Sequence, residues 1–249
     1  MNTFIYDSFL NHKKYDRLLA RVETRITDLG LNGKICRLSF MRNIHDTVIN
    51  ELRRGAKTFI VVGNDRTINQ AVNSLAGSNA TLGVIPIDYE SNDLAKALGI
   101  ESIEAACDIL SARLIVRLDL GLANHTYFLG NASIKNHGTV IDMDKNYTIE
   151  TAEKGLIQIF NLAGPAIKFL SQVKFKPDDG ILELVINTRD NKKIFSKPGD
   201  QSVFKIQKIS INNPLEQLIL DGAVPISTPA GITVARQVLN VIVGKNKNF

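Results

Sequence analysis

Residues 58–62, Thr-Phe-Ile-Val-Val, form an uninterrupted run of strand-forming residues between two stretches of helical periodicity. Such a run has no polar face, so it suits only a strand covered on both sides, as in a parallel sheet. Ile44, Val48, Ile49 and Leu52 precede it at helical spacing, and Gly55 closes that helix. Ile68, Ala71, Val72 and Leu75 follow it in the same pattern. The alternation extends both ways. Residues 3–6 and 34–40 read as strands around a helix over 14–29 that stops at Gly30. Residues 81–85 read as another strand, followed by a helix from Leu94 to Leu98. The order βαβαβαβα predicts a Rossmann-like parallel α/β domain with helices on both faces.

After residue 113 the periodicity changes. Leu114, Val116 and Leu118 alternate, and strand-like runs recur at 126–134, 181–187, 202–211, 216–221 and 238–243. Gly, Pro, Asn and Asp turns separate several of them. The expected architecture is therefore an α/β domain over 1–113 followed by a mainly antiparallel β-sandwich domain over 114–249. The last strand is expected to return towards the first domain. Helical signal in this half is confined to 152–171. Its apolar stretch 155–170 reads as a core helix broken at Pro165 or, alternatively, as a contact for a membrane or an acyl chain.

With 44% hydrophobic and 22% charged residues the composition is that of an ordered globular chain. No apolar run reaches the roughly 20 residues of a membrane span, and the N-terminus lacks the basic-then-apolar order of a secretory signal. A cytoplasmic location, with peripheral membrane association, is the expectation. Cys36 and Cys107 have neither disulfide-framework nor metal-ligand spacing and read as buried thiols. His12, His45, His125 and His137 are scattered, so they read as solvent-exposed or capping residues. Asp142 and Asp144 suit a cation or a solvated turn. A net charge of +5 is compatible with approach to anionic lipid surfaces, nucleotides or nucleic acid, and its plainer reading is a solvated surface. Without a basic stripe interleaved with aromatics, nucleic acid is not an expected partner.

Two loops can carry chemistry. Residues Gly63-Asn64-Asp65-Arg66-Thr67 follow the strand at 58–62, and Thr67 with Gln70 fits a capping box that would start the helix there. A strand, a tight turn and a helix N-terminus make an anion-binding corner. Gly63 permits close approach, Arg66 can pair with a phosphate, and Asp65 can hold a metal ion or orient a neighbouring loop. The bland alternative is a plain αβ connection. The second loop, residues 86–93, follows the next strand, with Ser91 or Asn92 placed to cap the next helix. Both loops fall at the carboxyl edge of the sheet, where open α/β sheets bind ligands.

These residues resemble a known family. GNDRTINQAVNSL is similar to the GGDGT-x-N-E-x-x-N-x-L signature of diacylglycerol and sphingosine kinases and their bacterial lipid-kinase relatives. LGVIPIDYESNDLAKALGI resembles their LG-x-x-P-x-GT-x-ND-x-A-x-x-LG signature, at matching spacing. VRLDLGLANHTYFLGNAS resembles the strand pair that opens the family's β domain. LILDGAVPISTPAGITVARQVLNVIV resembles the segment that begins DGE and closes it. NAD kinases share the fold and the glycine-rich loop, and the ND-x-A-x-x-LG continuation favours the lipid-kinase branch.

The resemblance implies an NAD kinase/diacylglycerol kinase-like fold and ATP-dependent phosphorylation of a lipid hydroxyl, with ATP and Mg²⁺ as cofactors. It places the essential acidic residue at Asp65. Nucleotide contacts fall at Gly63, Asn64, Arg66, Thr67, Asn92 and Asp93, and Asp221 falls in the segment that supplies the general base. A lipid or lipid-like alcohol, transient contact with a membrane surface and a homodimer are the implied partners. The departures are specific. Asn64 and Arg66 replace glycines, residues 88–91 replace a Gly-Thr with one residue extra, and Ala223 replaces the acidic residue of DGE. The family's N-terminal NP-x-SG turn is replaced by Tyr6-Asp7-Ser8-Phe9. A lipid-kinase-fold protein without catalysis, binding nucleotide or lipid as a scaffold, is the alternative these departures motivate.

Overall fold

The computed structural model describes residues 1–87, 92–143, 147–151, 154–164, 174–187, 201–247 and 249. The chain forms two compact units. One contains Met1–Leu118 and Gln237–Phe249, with Gly164. The other contains Asp119–Ala163 and the described residues of 174–236.

In the first unit β1 (Asn2–Tyr6), α1 (Asp16–Asp28), β2 (Gly33–Arg37), α2 (Ile44–Arg53), β3 (Thr58–Gly63), α3 (Asp65–Leu75), β4 (Thr81–Pro86) and α4 (Asp93–Ala97) follow in order. A further helix, α5 (Ile103–Ala112), has no counterpart among the sequence expectations. The strands stand in the order β2-β1-β3-β4, all parallel. The end of β16 (Ala230–Ile242) joins parallel to β4 through Asn240 and Val241. β3 and β4 are buried along their whole length, as an all-apolar run requires. Gly30 and Gly55 end their helices with φ of +65° and +86°, values that suit a residue without Cβ. The core includes Phe4, Phe59, Ile60, Ile68, Leu75, Leu82 and Ile85, and both cysteines are buried.

The second unit is a two-layer sandwich. β7 (Asn131–Lys135), β10 (Leu156–Phe160), β11 (Leu182–Asn187), β12 (Gln201–Ile206), β14 (Leu218–Leu220) and β15 (Val224–Ile226) make a six-stranded antiparallel sheet, ordered β12-β11-β10-β7-β14-β15. β8 (Val140–Met143), β9 (Tyr147–Glu150) and β13 (Lys208–Asn212) pair beside β16, while β5 (Ile115–Ala123) pairs with β6 (Thr126–Phe128). Inward residues of both layers share one core, among them Ile134, Ile157, Ile159, Leu184, Ile141, Ile209 and Ile232. Gly121 is required by close approach, because a Cβ there would lie 2.0 Å from the Phe128 ring.

Two local expectations need correction. Residues 156–160, read as part of a helix, form the strand β10 between β7 and β11. Ile157 and Ile159 face the core while Leu156 is exposed and Gln158 half-buried, so the period is two. Pro165, the expected break, lies outside the described residues, as does Asp144. The runs at 126–134 and 202–211 are each two strands, divided near Leu129 and at Gln207.

Glu183 lies on the sheet face opposite the core residues Leu182 and Leu184. It is buried, and its Oε2 has no hydrogen-bond partner among the described residues. Burial pushes its carboxyl up to about 7, with the nearby Asp179 adding to the effect and Lys205 opposing it. The folded state thus holds a proton that the unfolded state releases near the ordinary value of about 4.3. The benefit is present below that value and is lost as pH rises towards 7. Glu183→Gln should therefore raise the unfolding free energy measured in urea at pH 8 by about 1–3 kcal/mol, and have little effect at pH 4. A variant less stable than the wild type at pH 8 would show that the carboxylate is compensated.

Candidate functional site

The candidate site is built where β1, β3 and β4 end. β3 and β4 run in register to Gly63 opposite Pro86, and Ile87 N–H donates to the Gly63 carbonyl at 2.8 Å. The chain then turns straight into α3. The helix begins at Asp65, two residues earlier than the Thr67 start read from the sequence. The cap is Asn64, whose side-chain oxygen accepts from Thr67 N–H at 3.3 Å, while the Asn64 N–H donates to Thr67 Oγ1 at 3.4 Å. Thr67 is thus the third helical residue of a capping box centred on Asn64, not the cap itself. A short polar side chain stands where the family has glycine and takes over the turn. Neither Asn64 nor Arg66 has a positive φ, so their Cβ atoms cost no backbone strain.

Gly63 is needed for a different reason. A Cβ there would meet Thr67 Oγ1 at 2.6 Å, so any larger residue displaces the hydroxyl that closes the box. That hydroxyl also donates to Asp7 Oδ2. Asp7 follows β1, donates its N–H to the Val62 carbonyl at 3.0 Å, and caps the 3-10 turn Ser8–Asn11 by accepting from Phe9 N–H at 3.1 Å. Sequence reasoning assigned Asp7 no role. Its position directly after the first strand, at the same sheet edge, was the available signal.

Asp65 has the most consequential geometry. Its carboxylate accepts the N–H of Asp93 at 2.9 Å and of Leu94 at 3.3 Å, so the first residue of α3 caps α4. Of the two roles open from the sequence, orienting the neighbouring loop is the one these contacts describe. Asn92, in the N-cap position of α4, makes no side-chain cap bond. Its amide is fully buried, Nδ2 donates to the Ile87 carbonyl, and Oδ1 has no partner among the described residues. Asp93 has a largely exposed side chain, 3.6 Å from Lys96 Nζ. Arg66 is exposed and forms no ion pair among the described residues. The intervening positions Asp88, Tyr89, Glu90 and Ser91 lie outside the described residues.

Gly63, Asn64, Asp65, Arg66, Thr67, Asn92 and Asp93 therefore converge in the first unit. Asp221 belongs to the second. It sits at φ +46°, and its carboxylate accepts the N–H groups of Leu129 at 3.0 Å, Gly130 at 2.8 Å and Asn131 at 2.9 Å. It clamps the turn that leads into β7. Among the described residues no group of three His, Cys, Asp or Glu side chains is arranged to hold a metal ion, and no helix is long and apolar enough to cross a membrane.

The whole-chain architecture is shared with known proteins. A diacylglycerol kinase from Bacillus anthracis str. Sterne superposes with a TM-score of 0.77 at 18% identity, over 99% of this chain and 97% of that one. An NAD kinase from Archaeoglobus fulgidus in complex with ATP superposes with a TM-score of 0.61 at 10% identity, over 100% and 96%. The fold is thus that of the diacylglycerol kinases and NAD kinases. The diacylglycerol kinase catalytic domain matches residues 2–123, about half of the chain, and that stretch belongs to this lipid-kinase family. No functionally curated protein matches the sequence.

If Asp65 holds α4 in place, removing its carboxylate unpairs two N–H groups. Asp65→Ala should lower unfolding stability by about 1 kcal/mol in urea denaturation, and Asp65→Asn, which keeps an acceptor oxygen, should lose less. Equal stability of Asp65→Ala and the wild type would remove the cap from the picture.

Proposed function

We propose that this lipid-kinase-like protein transfers the γ-phosphoryl group of ATP to the hydroxyl of a lipid or lipid-like alcohol. The observation that carries the reading is the N-terminus of α3. Asp65 and Arg66 are its first two residues, whose N–H groups no helix pairs internally. They stand at the carboxyl end of a buried parallel strand beside an exposed guanidinium. Helix dipole, N–H groups and arginine all favour a phosphate at this corner.

The residues present fit a nucleotide. The buried, unpartnered Oδ1 of Asn92 is an acceptor of the kind a ribose hydroxyl or an exocyclic amino group would satisfy. Gly63, Asn64 and Thr67 shape the turn, and Arg66 contributes a bidentate donor. Mg²⁺ in such sites is held by one or two carboxylates together with the phosphates. Asp93, whose carboxylate is largely exposed, is the residue that would hold it, and it would supply charge neutralisation. Phosphoryl transfer asks mainly for position and neutralised charge, and Asp65 fixes the position of the second loop relative to the first. Asp221 remains the candidate catalytic carboxylate of its segment, because Ala223 removes the other acidic position.

The test is transfer of labelled phosphate from ATP to diacylglycerols and sphingoid bases. The wild type should turn over, and Asp65→Ala should lose about a hundredfold, the scale expected for a displaced loop. Turnover no greater than that of Asp65→Ala would overturn the kinase reading. ATP binding without transfer would instead favour the catalytically silent scaffold that Ala223 motivates.

A further inference from the structure

The turn between β2 and α2 has a feature that neither folding nor phosphoryl transfer uses. Ser39 and Arg42 bond each other through both backbone pairs, Ser39 N–H to the Arg42 carbonyl at 3.2 Å and Arg42 N–H to the Ser39 carbonyl at 3.0 Å. The two residues at the tip are Phe40 and Met41, 105% and 94% exposed. No other described large hydrophobic side chains except Leu215 approach this exposure. Asn11 Nδ2 donates to the Leu38 carbonyl at 3.0 Å, which fastens the base of the turn. The tip is thus a closed two-residue finger with apolar side chains held in water.

A groove of about 510 Å³ opens beside the finger, lined by Met41, Arg42, His45, Ile49, Arg53 and Arg54. Its acidic side chains are engaged locally. Glu51 is buried and paired with Lys34 at 2.6 Å and Arg54 at 2.9 Å, which hold its carboxyl below the ordinary range. Asp46 Oδ2 accepts from the Asn43 amide at 2.7 Å, and its own N–H donates to Asn43 Oδ1 at 2.8 Å. Arg42 and Arg53 have no carboxylate partner among the described residues. Lys13 and Lys14 follow the Ser8–Asn11 turn that supports the finger.

We propose that this finger and groove are the docking site for an anionic phospholipid bilayer. Phe40 and Met41 enter the interfacial layer, and Arg42 and Arg53 meet lipid phosphates. Apolar residues on a tip beside basic residues are the arrangement that binds anionic interfaces, through buried area plus electrostatic attraction. A protein partner would need a wider apolar floor than two protruding residues offer. A nucleic-acid strand would need aromatic platforms in the groove, which has none. The proposal gives a purpose to the lipid-substrate reading but does not depend on catalysis.

The test is co-sedimentation of the full chain, without ATP, with vesicles of phosphatidylcholine alone and of phosphatidylcholine with phosphatidylglycerol. The wild type should bind the anionic vesicles, less at high salt. The double variant Phe40→Ser/Met41→Ser should bind about tenfold more weakly, with an unchanged melting temperature because both side chains are in solvent. Arg42→Gln/Arg53→Gln should also weaken binding and flatten the salt dependence. Absence of vesicle binding, equal binding to neutral vesicles, or a finger variant that binds like the wild type would each overturn the proposal. Kinase activity on detergent-dispersed short-chain diacylglycerol needs no bilayer. It should survive in the finger variant, so failure of docking and failure of the kinase reading give different results.

Discussion

The Asp65 carboxylate joins two helix N-termini that the sequence separates by 28 residues. It is the first residue of α3, where a negative charge is favoured, and it also accepts the leading N–H groups of α4. Among the described residues it is Asp65 that caps α4, because Asn92 turns inward to the Ile87 carbonyl. The carboxyl ends of β3 and β4 are therefore coupled through one side chain. Thr67, bonded both to Asn64 and to Asp7, extends the coupling to β1. Three parallel strands end in one network of polar side chains around a helix N-terminus.

That network explains how the loop tolerates losing glycines. The family pattern uses glycine for close approach and unusual φ, whereas Asn64 and Arg66 adopt ordinary negative φ here. The turn is closed by a capping box instead. The glycine that cannot be replaced is Gly63, because its neighbour is the Thr67 hydroxyl. The same substitution that removes a glycine adds an exposed guanidinium at the anion-binding end of α3, a change of charge and not only of shape.

Much of the first unit was legible because buried parallel strands and amphipathic helices write different periods, and glycines punctuate them. The start of α3 was misplaced by two residues because Thr67 and Gln70 imitate a capping box while Asn64 forms the real one. α5 was missed because its apolar residues, with Ala105, Ala106 and Cys107, give a weaker amphipathic contrast. Residues 156–160 misled because an apolar strand inside a longer apolar stretch has no helical signature to exclude. Asp7 and the Asp65–Leu94 bond were invisible because both are long-range contacts at a sheet edge, fixed by topology. Asp221 was legible as a marked position, but its three N–H partners are set by the turn before β7 and leave no local trace.

Calorimetric titration of the full chain with Mg·ATP tests most directly whether the altered loop still holds a nucleotide. One-to-one binding is expected, weakened by at least tenfold in Arg66→Ala, since a hydrogen bond to a charged group contributes roughly 1.5–3 kcal/mol. No binding by the wild type, or tighter binding by Arg66→Ala, would mean that the arginine closes the corner and does not grip a phosphate there.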